Sequence, residues 1–168
     1  MKLSIKELAV FGMLGTLMCI SKYVMEFLPN MHLLAVFTVA FTVVFRKKAL
    51  YPIYIFVFII GFFSGFSVWW LPYLYIWAVL WGAVMLIPKN INPKIAPFVY
   101  IAVCSLHGFL YGTIYAPAQA LLFGLDFKGT VAWIVAGLPF DMVHGFSNLC
   151  LGVLIVPIIK VLNKLKTA

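Results

Sequence analysis

Six apolar runs, covering approximately residues 8–28, 31–45, 49–68, 71–87, 95–123 and 131–159, take up nearly the whole chain, and each is closed by Pro, Gly, Asn or charge. A bilayer core about 30 Å thick takes roughly 20 apolar residues per helix, so a chain of 168 residues suits five to seven spans and leaves no room for a soluble domain. With 65% hydrophobic residues, 10% charged residues and a mean hydropathy of +1.14, a water-soluble fold could not hide the apolar surface. The expected architecture is an all-α membrane protein: one domain over residues 1–168, a bundle of six transmembrane helices.

The net charge of +8 would suit a nucleic-acid binder only if the basic residues formed a stripe or a tail, and they do not. They fall in the gaps between apolar runs. Lys2 and Lys6 precede the first run, Arg46, Lys47 and Lys48 follow the second, Lys89 and Lys94 follow the fourth, and Lys160, Lys164 and Lys166 close the chain. In a six-helix zigzag all of these lie on one side, whereas Lys128 alone occupies a loop on the other and Lys22 lies within the first run. Because short cytoplasmic loops retain positive charge, the expected topology is N-in and C-in: a multi-pass protein of the cell membrane with both termini cytoplasmic. Lys2 and Lys6 before an apolar stretch imitate a signal peptide, but no small-x-small cleavage site follows and Lys22 and Glu26 continue a helical pattern to Pro29. That segment is therefore expected to remain as a helix.

The runs are unequal. The second is only about fifteen residues long, so it must stand nearly upright or thin the bilayer. The fifth and sixth are long and carry Pro97, Pro117, Pro139 and Pro157, each of which frees a carbonyl and bends a helix. Such bends persist in lipid where neighbours or a cavity satisfy the backbone, which makes the outer halves of these two runs candidate cavity walls. Gly12, Gly15 and Thr16 in the first run, and Gly108, Gly112 and Ala116 in the fifth, have the spacing of close helix–helix contacts. Cys19, Cys104 and Cys150 lie in different runs without paired spacing and read as packing residues, with no metal site among them.

An ionisable side chain in mid-membrane costs about 2.5–3.5 kcal/mol on insertion scales, so Asp141 requires an explanation. Asp141, His144 and Asn148 follow at i, i+3 and i+7, a narrow arc of one helix face, flanked by Gly137 and Gly145. This strip either contacts a solute or forms a network that sets bundle register. Tyr100, Cys104, His107 and Tyr111 share a stripe of the fifth run, with Tyr115 close to it, so that His107 and the tyrosine hydroxyls can converge on the strip. Tyr73 and Trp77, with Trp81, recur at i, i+4 and i+8, and Trp133 lies just inside the outer end of the sixth run. These rings belong either to an interfacial belt or to a stacking wall for a planar ring or a cation. Lys22 and Glu26 pair, snorkel or contact polar solute groups; Asn30 and His32 follow in the outer loop.

No G-x-x-x-x-G-K-[ST] loop is present to cradle ATP phosphates, nor a nucleophile elbow or an HExxH motif, and no cofactor is expected. The pattern of Ala9-Val10-Phe11-Gly12-Met13-Leu14-Gly15-Thr16 together with Asp141-Met142-Val143-His144-Gly145-Phe146-Ser147-Asn148, on a short basic-inside six-helix frame, resembles the substrate-binding S components of energy-coupling factor transporters. The resemblance implies capture of a vitamin or related micronutrient from outside, in a site built from spans four to six and outer loops. It also implies docking through the first helix onto a transmembrane coupling subunit that carries two ATPases. The family's alanine pair, A-x-x-x-A, reads here as Ala9 followed by Met13, with Gly12 and Thr16 as the substitute pair. On this reading Asp141, His144, Asn148 and His107 supply polar contacts and Tyr73, Trp77, Tyr111 and Trp133 supply stacking. The competing class is a small membrane enzyme or structural subunit that uses Asp141 and His144 as an acid–base pair or a packing network.

Overall fold

A Ser-x-x-Glu pattern opens the first helix, and its side chains close a reciprocal cap. The structure, a computed structural model describing residues 3–167 and the side chains of residues 3–165, has the Ser4 hydroxyl accepting the Glu7 amide at 3.1 Å. The Glu7 carboxylate in turn accepts the Ser4 amide at 3.0 Å, the two bonds of a capping box. Helix α1 runs over Ile5–Val24. Lys2 and the Lys166 side chain, both counted in the charge census, lie outside the described residues.

Helix α2, Leu34–Phe45, is apolar around its whole circumference and buried at ten of its twelve positions, the mark of a helix enclosed by others. Thr38 and Thr42 satisfy their hydroxyls within the helix, donating to the carbonyls of Leu34 and Thr38 at 2.8 and 2.6 Å. Helices α4, Tyr73–Met85, α5, Ala96–Phe109, and α8, Ile155–Thr167, pack around it. Arg46 ends α2 with a positive φ of 53°. A 3₁₀ turn over Arg46–Ala49 then leads into α3, Leu50–Ser64. The Arg46 guanidinium donates to the Met85 carbonyl at 2.8 Å and reaches that of Ile87 at 3.5 Å, while Trp81 Nε1 donates back to the Arg46 carbonyl at 3.1 Å. A cation thus covers the carbonyl end of α4, where the helix dipole favours it.

Helix α3 lies along α1, and Gly15 permits the approach: a Cβ there would stand 2.9 Å from the Pro52 carbonyl oxygen. The remaining elements are α6, Tyr111–Phe123, and α7, Phe127–Leu151, followed by a 3₁₀ turn over Gly152–Leu154. Asp126 caps α7 by accepting the Gly129 amide at 2.7 Å. The 3₁₀ turn lies where Pro157 has no N–H to offer the Val153 carbonyl, whereas α7 continues through Pro139.

All the regular structure among the described residues is helical. Three stretches are long and apolar enough to cross a membrane: Ile5–Val24, Ala96–Phe123 and Phe127–Leu165. Helices α2, α3 and α4 are shorter, about 18–23 Å at ~1.5 Å per residue, against the full span drawn for the third run. Lys6, Arg46, Lys47, Lys48 and Lys89 line one cavity together with Leu165, so basic residues distant in sequence meet at one end of the bundle.

The tightest contact is between α5 and α7. A Cβ on Gly108 would stand 2.8 Å from the backbone of His144 and 2.7 Å from Asn148 Nδ2, and Gly145 meets the Phe109 ring as closely. Gly108→Ala should therefore force the helices apart and destabilise the fold by about 1–3 kcal/mol, read as a fall of several degrees in the thermal unfolding midpoint in detergent. Gly12→Ala, where nothing lies within 4 Å of the new methyl, should not lower it.

Candidate functional site

The fifth apolar run is interrupted at Leu110, between α5 and α6. The interruption is local: the Leu110 amide still donates to the Leu106 carbonyl at 3.0 Å and its carbonyl accepts from Ile114 at 2.8 Å. Two residues on, the Gly112 amide leaves the helical ladder and donates to Asp141 Oδ1 of α7 at 2.9 Å. A side chain inserted into the backbone ladder is a recognised cause of a helix break. A larger residue there would push the carboxylate aside, since a Cβ would stand 2.6 Å from its second oxygen, Oδ2. That oxygen is buried and has no hydrogen-bond partner. The break in this run thus lies at Leu110 and not at either of its prolines: Pro97 occupies the first turn of α5 and Pro117 is carried within α6.

Beside Asp141 a cavity of about 220 Å³ opens between α6 and α7, lined by Tyr111, Gly112, Tyr115, Trp133, Gly137, Phe140, Asp141, His144 and, from the loop after α1, Asn30. Its side walls are ring pairs. Tyr115 stacks on Trp133 with centroids 5.7 Å apart and planes 23° from parallel, and Tyr111 stacks on His144 at 4.7 Å and 28°. Asn30 is held over this space by a left-handed backbone, φ 59°, a conformation Asn tolerates better than most residues. Its turn is closed by the Met31 amide donating to the Leu28 carbonyl at 3.1 Å.

Of the residues expected to form the site, Asp141, His144, Tyr111 and Trp133 line this cavity. Asn148 does not: two turns further along α7, its Nδ2 donates to the Cys104 carbonyl at 3.0 Å, and it is sealed against α5. His107 and Trp77 form a layer behind Tyr111, with ring centroids 5.9 Å apart and Trp77 6.4 Å from Tyr111. His107 Nε2 donates to the Ile76 carbonyl at 3.2 Å. Tyr73 packs edge-on against Trp69 and Trp77, one step further back. None of these three lines the cavity: the α4 rings pack against Phe56 of α3, His107 of α5 and the back of Tyr111.

Lys22 and Glu26 stand apart from the site. Helix α1 ends at Val24, ahead of the turn that leads to Pro29, so the two are not one helical turn apart; Lys22 Nζ lies 5.5 Å from the Tyr23 ring and Glu26 is exposed. Ala9, Met13 and Thr16 are exposed on α1 and Gly12 is half-buried. Among the residues not assigned to the site from the sequence, Asn30, Tyr115 and Phe140 line the cavity. His32 joins its rear, 5.2 Å from His144 and 6.1 Å from Trp77 between centroids. The stripe through Tyr111 was a signal for Tyr115; nothing in the local pattern marks Phe140. Buried polar atoms without partners cluster at this end: His32 Nδ1, His107 Nδ1, His144 Nδ1, Trp77 Nε1 and Asp141 Oδ2. The described His, Cys, Asp and Glu side chains form no group suited to a metal ion.

Asn148→Ala, which removes the bond from α7 to the Cys104 carbonyl, should cost about 0.5–1.5 kcal/mol of stability. Ligand affinity per folded molecule should not change; equilibrium binding on the folded fraction, alongside thermal unfolding, separates the two effects. Comparison of the chain with protein-family models, with curated proteins and with solved structures finds no match, so the functional reading rests on the chemistry of these side chains.

Proposed function

We propose that the protein is the substrate-binding subunit of an energy-coupling factor type importer, six-spanning with both termini cytoplasmic, and that it holds a small ring-containing vitamin or related micronutrient in the cavity between α6 and α7. The observation that carries this reading is the divided Asp141 carboxylate: one oxygen bonded to the Gly112 amide, the other buried and unpartnered against Gly112, with both residues lining the cavity. A buried acceptor left unpaired costs about 1–3 kcal/mol, a cost that a cationic or N–H-bearing solute would offset. The cavity is smaller than the ~300–1,000 Å³ of drug-sized sites, which favours a solute of one ring or two fused rings. The stacked pairs Tyr115 with Trp133 and Tyr111 with His144 suit its faces, and Asn30 supplies an amide at the rim.

Binding alone performs no transport, and the chain has no phosphate-cradling loop, so uptake on this reading needs ATPase partners acting through a transmembrane coupling subunit. The outer surface of α1, with Ala9, Met13 and Thr16 exposed and open space beside Gly12, is the surface offered for that docking. The second reading, a structural or enzymatic membrane subunit, draws on the Asp141 to Gly112 and Asn148 to Cys104 bonds, which tie α7 to its neighbours. It does not account for the free carboxylate oxygen beside an aromatic cavity.

Protein purified in mild detergent and then denatured should release a stoichiometric small molecule detectable by mass spectrometry. Asp141→Asn should weaken its binding at least tenfold, about 1.4 kcal/mol. No released compound, together with no rise in unfolding temperature across a vitamin panel, would favour the second reading.

A further inference from the structure

The opposite end of the bundle carries a second, chemically different site. A cavity of about 580 Å³ is lined by Lys6, Arg46, Lys47, Lys48 and Lys89, with Glu7 as its one carboxylate and Val10, Phe11, Phe45 and Met85 as apolar wall. Glu7 is already committed, to the Lys48 ammonium and to the Ser4 cap. Arg46 spends two guanidinium nitrogens on carbonyls at the end of α4, yet its Nε–H is buried without a partner. Positive charge therefore predominates in the cavity, and a buried donor remains unanswered.

Lys47 also begins a second hollow of about 600 Å³, which runs along α3 past Leu50, Tyr51, Tyr54, Ile55, Phe58 and Phe62. From Leu50 to Phe62 is about 18 Å at ~1.5 Å per residue, close to the ~15 Å of one leaflet of a ~30 Å hydrocarbon core. A basic pocket that continues into an apolar groove one leaflet long matches a headgroup phosphate with its acyl chain.

We propose that this end of the protein binds one anionic phospholipid, its phosphate among Lys6, Arg46, Lys47 and Lys89 and an acyl chain along α3. The inference rests on the membrane placement proposed above and is independent of any solute in the outer cavity. A free anion would use the charges but leave the groove unused. A partner polypeptide would use the charges without requiring a chain of leaflet length.

The test is native mass spectrometry of the full chain, delipidated in detergent and titrated with phosphatidylglycerol, phosphatidylcholine, the short-chain dihexanoyl phosphatidylglycerol, or inorganic phosphate. One long-chain phosphatidylglycerol should be retained per chain at a concentration at least tenfold below that needed for phosphatidylcholine. Inorganic phosphate and the short-chain lipid should not displace it. K6Q/K47Q/K89Q should remove the preference and K6R/K47R/K89R should keep it, each variant first shown to be folded by circular dichroism and by the solute binding or unfolding midpoint of the parent. Equal retention of the two headgroups would overturn the proposal, as would displacement by inorganic phosphate alone, which marks a free-anion site. So would a preference that survives in the folded glutamine variant. Selective retention with no solute in the outer cavity would leave this site standing while the transport reading fails.

Discussion

The contact between the Asp141 carboxylate and the Gly112 amide organises the half of the molecule that holds the aromatic cavity. A carboxylate at this depth is costly to bury, and a backbone amide released from its helix is costly to leave unpaired; each relieves the other. The same bond ties α6 to α7 and lies two residues beyond the local interruption of the fifth apolar run at Leu110. It also fixes the carboxylate's rotation, which leaves Oδ2 buried and unpartnered against Gly112, in the contact between α6 and α7. A Cβ at position 112 would stand 2.6 Å from that second oxygen and displace the carboxylate.

The face of α7 that carries Asp141, His144 and Asn148 has two regimes, and glycines separate them. Around Gly108 and Gly145 the α5 and α7 backbones approach so closely that a methyl group would collide with backbone or ring. There Ser105 donates to the Gly145 carbonyl at 2.8 Å and Asn148 to that of Cys104, leaving a dry, hydrogen-bonded seam. Toward the other end, Gly137 has nothing within 4 Å of where its Cβ would stand, and the cavity occupies that space. One residue type thus serves opposite ends, admitting a neighbouring backbone in one place and leaving room in the other.

This division explains what was legible in the sequence. The apolar runs and the common arc of Asp141 and His144 follow from local periodicity, which depends on a few neighbouring residues. The separation of Asn148 from that arc depends on how closely α5 approaches, which no property of α7 alone determines. The break at Leu110 accompanies a bond from Gly112 to a carboxylate 29 residues further along the chain, whereas the prolines on which a local argument concentrates leave α6 and α7 continuous. Likewise, pairing of Lys22 with Glu26, one of three roles the sequence left open for them, requires a helix reaching Pro29. The chain instead leaves the helix at Met25 and turns, placing Asn30 over the cavity through a left-handed backbone that hydropathy does not encode.

The two ends of the bundle are separated by a filled interior. Helix α2 is buried along most of its length, and Phe56, Ile60, Ile76, Trp77 and Leu80 close the space around it with almost no exposed surface. Interiors packed in this way do not deform continuously. On the proposed reading, a solute held between α6 and α7 has no path to the basic end through that core, and opening one would separate α2 from the helices that enclose it. Release on the far side then requires the whole helical unit to change its position relative to the membrane, driven by a partner gripping a surface that can move with it. On the same reading α1 suits that task, because it lies against α3 through Gly15 and presents Ala9, Met13 and Thr16 outward.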